Sequence, residues 1–164
     1  MEEIRFRSNL MRNNDMINNP IFTYQCQLKV GVFINFILLI LQQKSMNLKS
    51  QFEKVDDYFS PKVIDEVNDQ FIKVAKIKGD KVPWHNHENE DELFYIVEGT
   101  LLMEIENEEN RQLKTGDLYV VRKGVNHRVS AEQECLIMLI ESKTTEHTGN
   151  VKSEISKSIA DQLS

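Results

Sequence analysis

The sequence predicts an all-β protein, an antiparallel sandwich or barrel, on three observations. From Met46 onward, short runs rich in β-branched and aromatic residues recur at intervals of about 8–12 residues, separated by turns that contain Gly, Asp or Asn. Leu101, Met103 and Ile105 alternate with neighbours that include two glutamates, which is the period of a strand with one buried face. No long helical pattern interrupts these runs.

The predicted elements follow one another closely in the chain. The strands are expected at 61–67, 71–78, 93–97, 101–105, 118–121, 127–130 and 135–140. The run 135–140 (CLIMLI) is apolar on both faces, which places it in the middle of a sheet or under a partner subunit. Val151, Ile155, Ile159 and Leu163 lie four apart, so one short amphipathic helix is expected at the C-terminus.

Composition narrows the class of protein. The 164 residues suffice for one domain with a sizeable core. The net charge of −6 argues against a nucleic-acid-binding surface, which needs clustered Lys and Arg. Cys26 and Cys135 are far apart and lack the spacing of a metal site or a disulfide framework, so a cytoplasmic location is expected.

Residues 1–45 differ from the rest of the chain. Their apolar run, 30–41, is shorter than the roughly 20 residues that span a bilayer, and it lacks the features of a signal peptide, so a membrane partner is not expected. Three interpretations stay open: a buried or interface helix, a weak membrane anchor, or an upstream extension absent from the working protein. The expected domains are 1–45 as an atypical extension, 46–145 as the β-barrel and 146–164 as a tail with a short helix. Residues 46–164 are expected to fold alone.

Four side chains are candidate metal ligands. His85 and His87 stand two apart, and residues i and i+2 of a strand point to the same face. Glu92 begins the next strand after a polar bend, and strand alternation puts His127 on an inward face with Leu118. Three imidazoles and one carboxylate suit one divalent ion of Fe, Mn, Zn, Ni or Cu and leave room for water or substrate.

The stretches that carry these residues resemble the two motifs of the cupin family. The first motif, G-x5-H-x-H-x3–4-E-x6-G, is matched at each fixed position by Gly79, His85, His87, Glu92 and Gly99. The second motif, G-x5-P-x-G-x2-H-x3-N, is matched by Gly116, Gly124 and His127. Arg122 replaces its proline and Ala131 its asparagine, and neither departure removes a candidate ligand. The missing proline bears on the rigidity of that loop.

The resemblance covers roughly residues 65–141 and implies a single cupin β-barrel, a double-stranded jelly roll. The chain is similar to short single-domain cupins of the mannose-6-phosphate isomerase-like kind. It implies one metal held by His85, His87, Glu92 and His127, and a homodimer that shares outer sheet residues.

Other residues have expected roles around this site. The expected lining of the inner cavity is Phe94, Ile96, Met103 and Leu118. Asp91 is the substitute ligand should Glu92 point away. Arg122 is expected on the surface, as is His147, which sits in a Thr-rich polar segment.

Two functional classes follow. One is a metal-dependent enzyme, of oxygenase or isomerase type, that acts on a small polar metabolite. The other is a non-catalytic module that binds or stores a small molecule, since a fold does not determine a function. The inward positions assigned from the sequence are apolar apart from the ligands. That favours oxygen chemistry or plain binding over acid–base catalysis, and no catalytic residue is assigned.

Overall fold

Seven antiparallel strands and two short helices make up the part of the chain that the structure describes. It is a computed structural model, and it describes residues 45–149 and 151–164. The elements are α1 (Leu48–Gln51), a 3-10 turn (Phe52–Lys54), β1 (Lys62–Val67), β2 (Gln70–Gly79), β3 (Glu92–Glu98), β4 (Thr100–Ile105), β5 (Arg111–Lys114), β6 (Leu118–Val121), β7 (His127–Ser142) and α2 (Ile159–Leu163). The apolar run 30–41 lies outside the described residues. Neither described helix has the length and apolar character to cross a membrane.

Strand β7 organises both layers of the fold. The larger layer has the order β1-β2-β7-β3-β6, and every pairing in it is antiparallel. The second layer joins β5 to β4 and β4 to the first residues of β7, where Ile105 pairs with His127. Because β7 belongs to both layers, the sheet curls around a shared interior. The predicted all-β barrel is confirmed.

The predicted strands 127–130 and 135–140 are one strand. Strand β7 runs on through the polar residues between them, and a β-bulge between Ile77 and Gly79, which leaves 132–134 unpaired, brings Gly79 opposite Ala131. Strand β5 was missed by the sequence interpretation, which placed a hairpin loop at 107–110 but no strand after it. Its four residues, RQLK, carry a single buried side chain, so they show little hydrophobic periodicity.

The run 135–140 lies in the middle of the larger layer, as its composition predicts. Cys135, Ile137 and Leu139 point into the main core. On the opposite face, Leu136 and Met138 pack in a second cluster. That cluster includes residues of α1, the 3-10 turn and the loop after it (Leu48, Phe52 and Val55). The N-terminal helical segment therefore covers part of the outer face of β7.

The C-terminal helix is shorter than predicted and spans Ile159–Leu163 alone. Residues 151–158 are irregular because their serines bond to nearby backbone and hydroxyl groups, which competes with helix formation. The Ser158 side chain then caps α2 through the Asp161 amide. Ile155 is buried in the main core, so this stretch is packed onto the barrel.

Candidate metal centre

The four candidate ligands meet inside the barrel. His85, His87, Glu92 and His127 are all buried, and each offers one ligand atom within 4.8 Å of the others. Ring centroids are 4.4 Å apart for His85 and His127, and 5.1 Å apart for His85 and His87. The structure thus brings together residues from both motifs of the sequence.

Two strand ends and one loop position these side chains. Glu92 begins β3 and His127 begins β7. His85 and His87 lie in the loop between β2 and β3, where His85 forms an isolated antiparallel bridge with His127. The His85 amide donates to the His127 carbonyl at 3.0 Å, and the His127 amide donates back at 2.9 Å. The Gly124 amide donates to the His87 carbonyl at 2.6 Å, so the second motif also anchors the rest of the loop.

Backbone carbonyls fix the orientation of two imidazole rings. His85 Nδ1 lies 2.9 Å from the Pro83 carbonyl oxygen, and His127 Nδ1 lies 3.1 Å from that of Val125. A carbonyl can only accept, so each Nδ1 carries the proton and donates it. This leaves Nε2 of each ring with a free lone pair, which is the arrangement that metal-binding histidines adopt.

Glu92 supplies the negative charge of the cluster. One of its oxygens, Oε2, lies 3.1 Å from His127 Nε2 and 3.4 Å from His87 Nε2. Burial alone raises the pKa of the Glu92 carboxyl, but a protonated His127 hydrogen-bonded to it and the positive charge of a protonated His87 outweigh burial and lower it. Glu92 is therefore ionised, and a buried carboxylate needs a positive partner.

The histidine rings respond differently to this carboxylate. The pKa of His85 is lowered to about 4, because burial disfavours the imidazolium and a charged His127 would repel it. Burial also lowers the pKa of His87, but the negative charge of the Glu92 carboxylate, 3.4 Å from His87 Nε2, raises it above its usual value. Without a metal, a proton on His87 can balance Glu92. A divalent cation would take over that balancing role.

The cluster fits a metal ion on its donor set and on one orphaned atom. His87 Nε2 is buried and has no hydrogen-bond partner among the described residues. Buried polar atoms are rarely left unsatisfied without a reason, and an ion-binding site is one such reason. Three imidazole nitrogens and one carboxylate oxygen are ligands that divalent transition metals accept. The buried cluster could hold one such ion.

Asp91 is not the ligand that replaces Glu92. Its carboxylate accepts from Arg122 Nη1 at 2.6 Å and from the Lys123 amide at 2.9 Å. These bonds tie the loop before β3 to the loop before β7. Arg122, which stands where the family motif has proline, is exposed and fixes its loop by this ion pair.

The predicted cavity lining is correct for one residue and wrong for another. A cavity of ≈ 30 Å³ has Phe94 in its wall, together with His85 and Glu92. Ile96 and Met103 are fully buried in the main core. Leu118 is 62% exposed, so the prediction that it faces inward is wrong.

Pairing between β3 and β6 explains the orientation of Leu118. Directly opposed residues share a face of the sheet, and β6 sets Val121 opposite Glu92 and Tyr119 opposite Phe94. Val121 and Tyr119 consequently face the interior. Leu118 and Val120 point away, which is the reverse of the predicted phase.

A buried ion pair was missed by the sequence interpretation. Lys73 on β2 and Glu141 on β7 form a salt bridge on the inward face, and both side chains are buried. Burial and the nearby charge of Glu92 raise the pKa of Glu141 to about 7, although Lys73 lowers it. The expectation that only apolar residues accompany the ligands is therefore wrong. Strand alternation could have found both residues, since Lys73 lies between the inward Phe71 and Ala75.

His147 is the third residue that was missed, and the prediction that it is exposed is wrong. It is half-buried and lines the same ≈ 30 Å³ cavity as His85 and Glu92. The residues that bring it there, 143–149 and 151–158, are called the C-terminal clasp below. Gly149 of this clasp lies so close to the Asn86 carbonyl that an added Cβ would stand 2.0 Å from the oxygen.

Comparisons with known proteins agree with this fold. The family described as "Cupin domain" matches residues 74–141. The Uncharacterized protein YdbB of Bacillus subtilis (strain 168) is 32% identical over 103 residues, which is 63% of this chain and 90% of that relative.

Two solved structures resemble the described barrel. A cupin-2 domain containing protein from Shewanella frigidimarina is 39% identical with a TM-score of 0.59, over 62% of this chain and 98% of that chain. Protein NMB1881 from Neisseria meningitidis is 28% identical with a TM-score of 0.55, over 60% of this chain and 99% of that chain. These matches do not assign the mannose-6-phosphate isomerase-like subgroup. The chain belongs to the cupin family.

Proposed function

We propose that this protein binds one divalent transition metal through His85, His87, Glu92 and His127. The main observation behind the proposal is the fixed orientation of two imidazole rings. His85 Nδ1 and His127 Nδ1 each donate to a backbone carbonyl, which leaves Nε2 of each ring for the cluster that contains Glu92. The ion is one of Fe, Mn, Zn, Ni or Cu, because imidazole and carboxylate together suit all of these.

We further propose that the protein is a metal-dependent enzyme that acts on a small polar metabolite, in a reaction of oxygenase or isomerase type. A bound metal would supply Lewis acidity or redox chemistry. The chain supplies the surroundings: apolar walls such as Phe94 exclude water, and three polar groups lie near the cluster. Two of them, Lys73 and Glu141, form a buried pair, and the third is His147. Such groups can hold and exchange protons during a reaction.

A non-catalytic binding or storage module is the second candidate. For either candidate the interior cavity of ≈ 30 Å³ has about the volume of one water molecule. A metabolite therefore needs either a movement of the barrel mouth or a binding mode in which only one of its groups enters.

We also propose the domain boundaries, the oligomeric state and the cellular location of the protein. Residues 46–145 form the barrel domain with 146–164 as its C-terminal tail, and 1–45 are a separate extension. Half-buried apolar side chains on the outer face that lie outside the second cluster, Leu93 and Ile140, support a homodimer. The wide separation of Cys26 and Cys135, which is not the spacing of a disulfide framework, supports a reducing, cytoplasmic location.

Metal titration tests the first proposal. Wild-type protein, stripped with a chelator and titrated with Co²⁺, should bind one equivalent and develop the visible absorption of a coordinated ion. His127→Ala should bind at least about 100-fold more weakly, because one of four ligands is lost from a buried site. Glu88→Ala, a change in an exposed carboxylate of the same loop, is the control and should bind as wild type does. Equal affinity for all three proteins contradicts the proposal.

Oxygen uptake separates the two functional classes. Protein loaded with iron is tested against a panel of small diketones, thiols and phenols. Turnover that disappears in His127→Ala supports the enzyme. Tight binding of a metabolite without turnover under any of the metals supports the binding module.

A further inference from the structure

His147 stands between two cavities at the mouth of the barrel. On its inner side is the ≈ 30 Å³ cavity that it shares with His85 and Glu92. On its outer side is a cavity of ≈ 420 Å³ whose walls come from the C-terminal clasp and the start of α2. The residue common to both linings is His147. The clasp lies beyond residues 74–141, the part of the chain that matches the family.

The His147 ring has one nitrogen to offer to a ligand. Nδ1 is buried and has no hydrogen-bond partner among the described residues. Burial lowers the pKa of His147 to about 4, against the opposite effects of the Glu92 charge and of the Ile155 backbone. At neutral pH the ring is therefore uncharged. A neutral imidazole carries a proton on one nitrogen and a lone pair on the other, so one nitrogen of His147 can accept a hydrogen bond.

The clasp holds this ring in place by contacts on both sides of it. Thr148 Oγ1 lies 2.6 Å from Ser156 Oγ and donates to the Val151 carbonyl at 2.6 Å. Thr144 Oγ1 donates to Glu90 in the loop that carries His85 and His87, at 2.9 Å. Ile155 is buried in the main core. An imidazole held in this way is suited to fix the orientation of a ligand.

We propose that His147 accepts a hydrogen bond from the hydroxyl group of a small hydroxy acid bound beside the metal cluster. This inference rests on the proposed metal site and names the class of its ligand. The inner cavity has room for a hydroxyl group next to His85 and Glu92. The outer cavity has Lys152 and Lys157 in its walls against a single acid, Glu146, which suits the carboxylate of the same ligand.

Glycolate and acetate are matched probes for this role. Both carry a carboxylate, and only glycolate adds a hydroxyl group that can donate to His147. The full chain loaded with Co²⁺ is titrated with each anion, and the heat of binding is measured by calorimetry. Four proteins are compared: wild type, His147→Leu, His147→Asn and, as a control from the same clasp, Glu146→Gln.

The expected result is a loss confined to glycolate. His147→Leu should weaken glycolate binding by about three- to tenfold, the worth of one neutral hydrogen bond, and leave acetate binding and Co²⁺ affinity within about twofold of wild type. His147→Asn should recover part of the loss, because its amide oxygen can accept a hydrogen bond. Glu146→Gln should leave the ratio of the two affinities unchanged.

Other outcomes overturn the inference in distinguishable ways. An equal loss for both anions means that His147 only supports the fold, and no loss means that it does not contact the ligand. Failure of glycolate to bind wild-type cobalt protein excludes the ligand class. A changed spectrum of the cobalt variant without any anion makes His147 a metal ligand instead. Failure of wild type to bind Co²⁺ at all defeats the metal site itself, and this inference with it.

Discussion

The His85 and His127 backbones hydrogen-bond to each other in both directions, so a bridge of main-chain atoms joins the two motifs. This bridge does not depend on a metal, because no side chain takes part in it. We expect the metal-free protein to keep its fold and its β-type circular dichroism. Metal should raise the stability of wild type by about 2.7 kcal/mol when its free concentration is 100 times Kd.

The same experiment on His127→Ala isolates the ligand role. The variant keeps the main-chain bridge, so its metal-free melting curve should stay cooperative, but added metal should not raise its melting temperature. A rise equal to that of wild type would mean that the stabilising ion binds elsewhere.

Lys73 should be necessary for stability, although its strand is otherwise apolar on the inward face. Lys73→Met leaves the Glu141 carboxyl buried without its partner, and the expected loss of unfolding free energy is about 3–5 kcal/mol. The double variant Lys73→Met/Glu141→Leu should recover most of that loss, because two apolar groups replace the pair. Lys78→Met on the exposed end of β2 is the control and should change stability by about 0.5 kcal/mol or less. Urea unfolding measures all three, and a double variant no better than the single one contradicts the argument.

Two glycines of the family motifs should differ in their sensitivity to alanine. Gly99 and Gly116 both have a positive φ, +96° and +93°, so alanine is strained at either position. At Gly99 the new Cβ would also stand 2.7 Å from the Glu134 carbonyl oxygen, whereas it meets nothing within 4 Å at Gly116. We expect Gly116→Ala to cost about 1–2 kcal/mol and Gly99→Ala clearly more. Equal losses in thermal unfolding would show that the contact with β7 gives way easily.

Acid should weaken the metal-free protein through His147. The pKa of this ring is lowered to about 4 in the folded chain, against about 6.5 for an unfolded histidine. Between these values the unfolded state binds more protons, so the stabilising contribution is complete above pH 6.5 and is lost as pH falls to 4. Its size is at most about 3 kcal/mol. Glu141 acts in the opposite direction, since its raised pKa of about 7 makes its contribution fall as pH rises from about 4.5.

The difference between two curves of unfolding free energy against pH separates the contribution of His147 from that of Glu141. The unfolding free energy of wild type minus that of His147→Asn should fall as pH falls from 6.5 to 4, because the Glu141 contribution cancels between the two proteins. A difference that does not change with pH would mean that His147 titrates normally in the folded state.

Removing Asp91 should leave the metal in place. Asp91→Ala breaks the bonds from Arg122 and Lys123 that join two loops, and we expect only a small loss of stability, because both side chains are exposed. Co²⁺ stoichiometry should remain one per chain. A loss of stoichiometry, with Glu88→Ala again as control, would reinstate Asp91 as a ligand.

The sequence was sufficient to predict the ligand cluster, because the spacing of the motifs carries it. His85 and His87 are neighbours, and Glu92 and His127 each follow a recognisable turn, so few alternative arrangements fit. The face of the sheet on which the Leu118 side chain lies could not be predicted in the same way. Its face depends on the register between β6 and β3, and a shift of one residue reverses every side chain.

The missed residues have different causes. Lys73 lies in a strand that was predicted to be apolar, and its charge was not expected inside the barrel because buried lysines are rare. The alternation of Phe71, Lys73 and Ala75 was nevertheless visible in the sequence. The position of His147 was not visible, since it depends on the way the C-terminal clasp folds back over the barrel.

The close approach of Gly149 to Asn86 has a practical consequence for anyone who trims this chain. A fragment that stops at residue 141, where similarity to the family ends, would lack the backbone that rests on the histidine-bearing loop and the isoleucine that completes the interior. The range that matches the family is therefore shorter than the range that we expect the protein to need for folding. Expression of 46–141 beside 46–164 should yield a poorly soluble product from the first and a well-behaved one from the second.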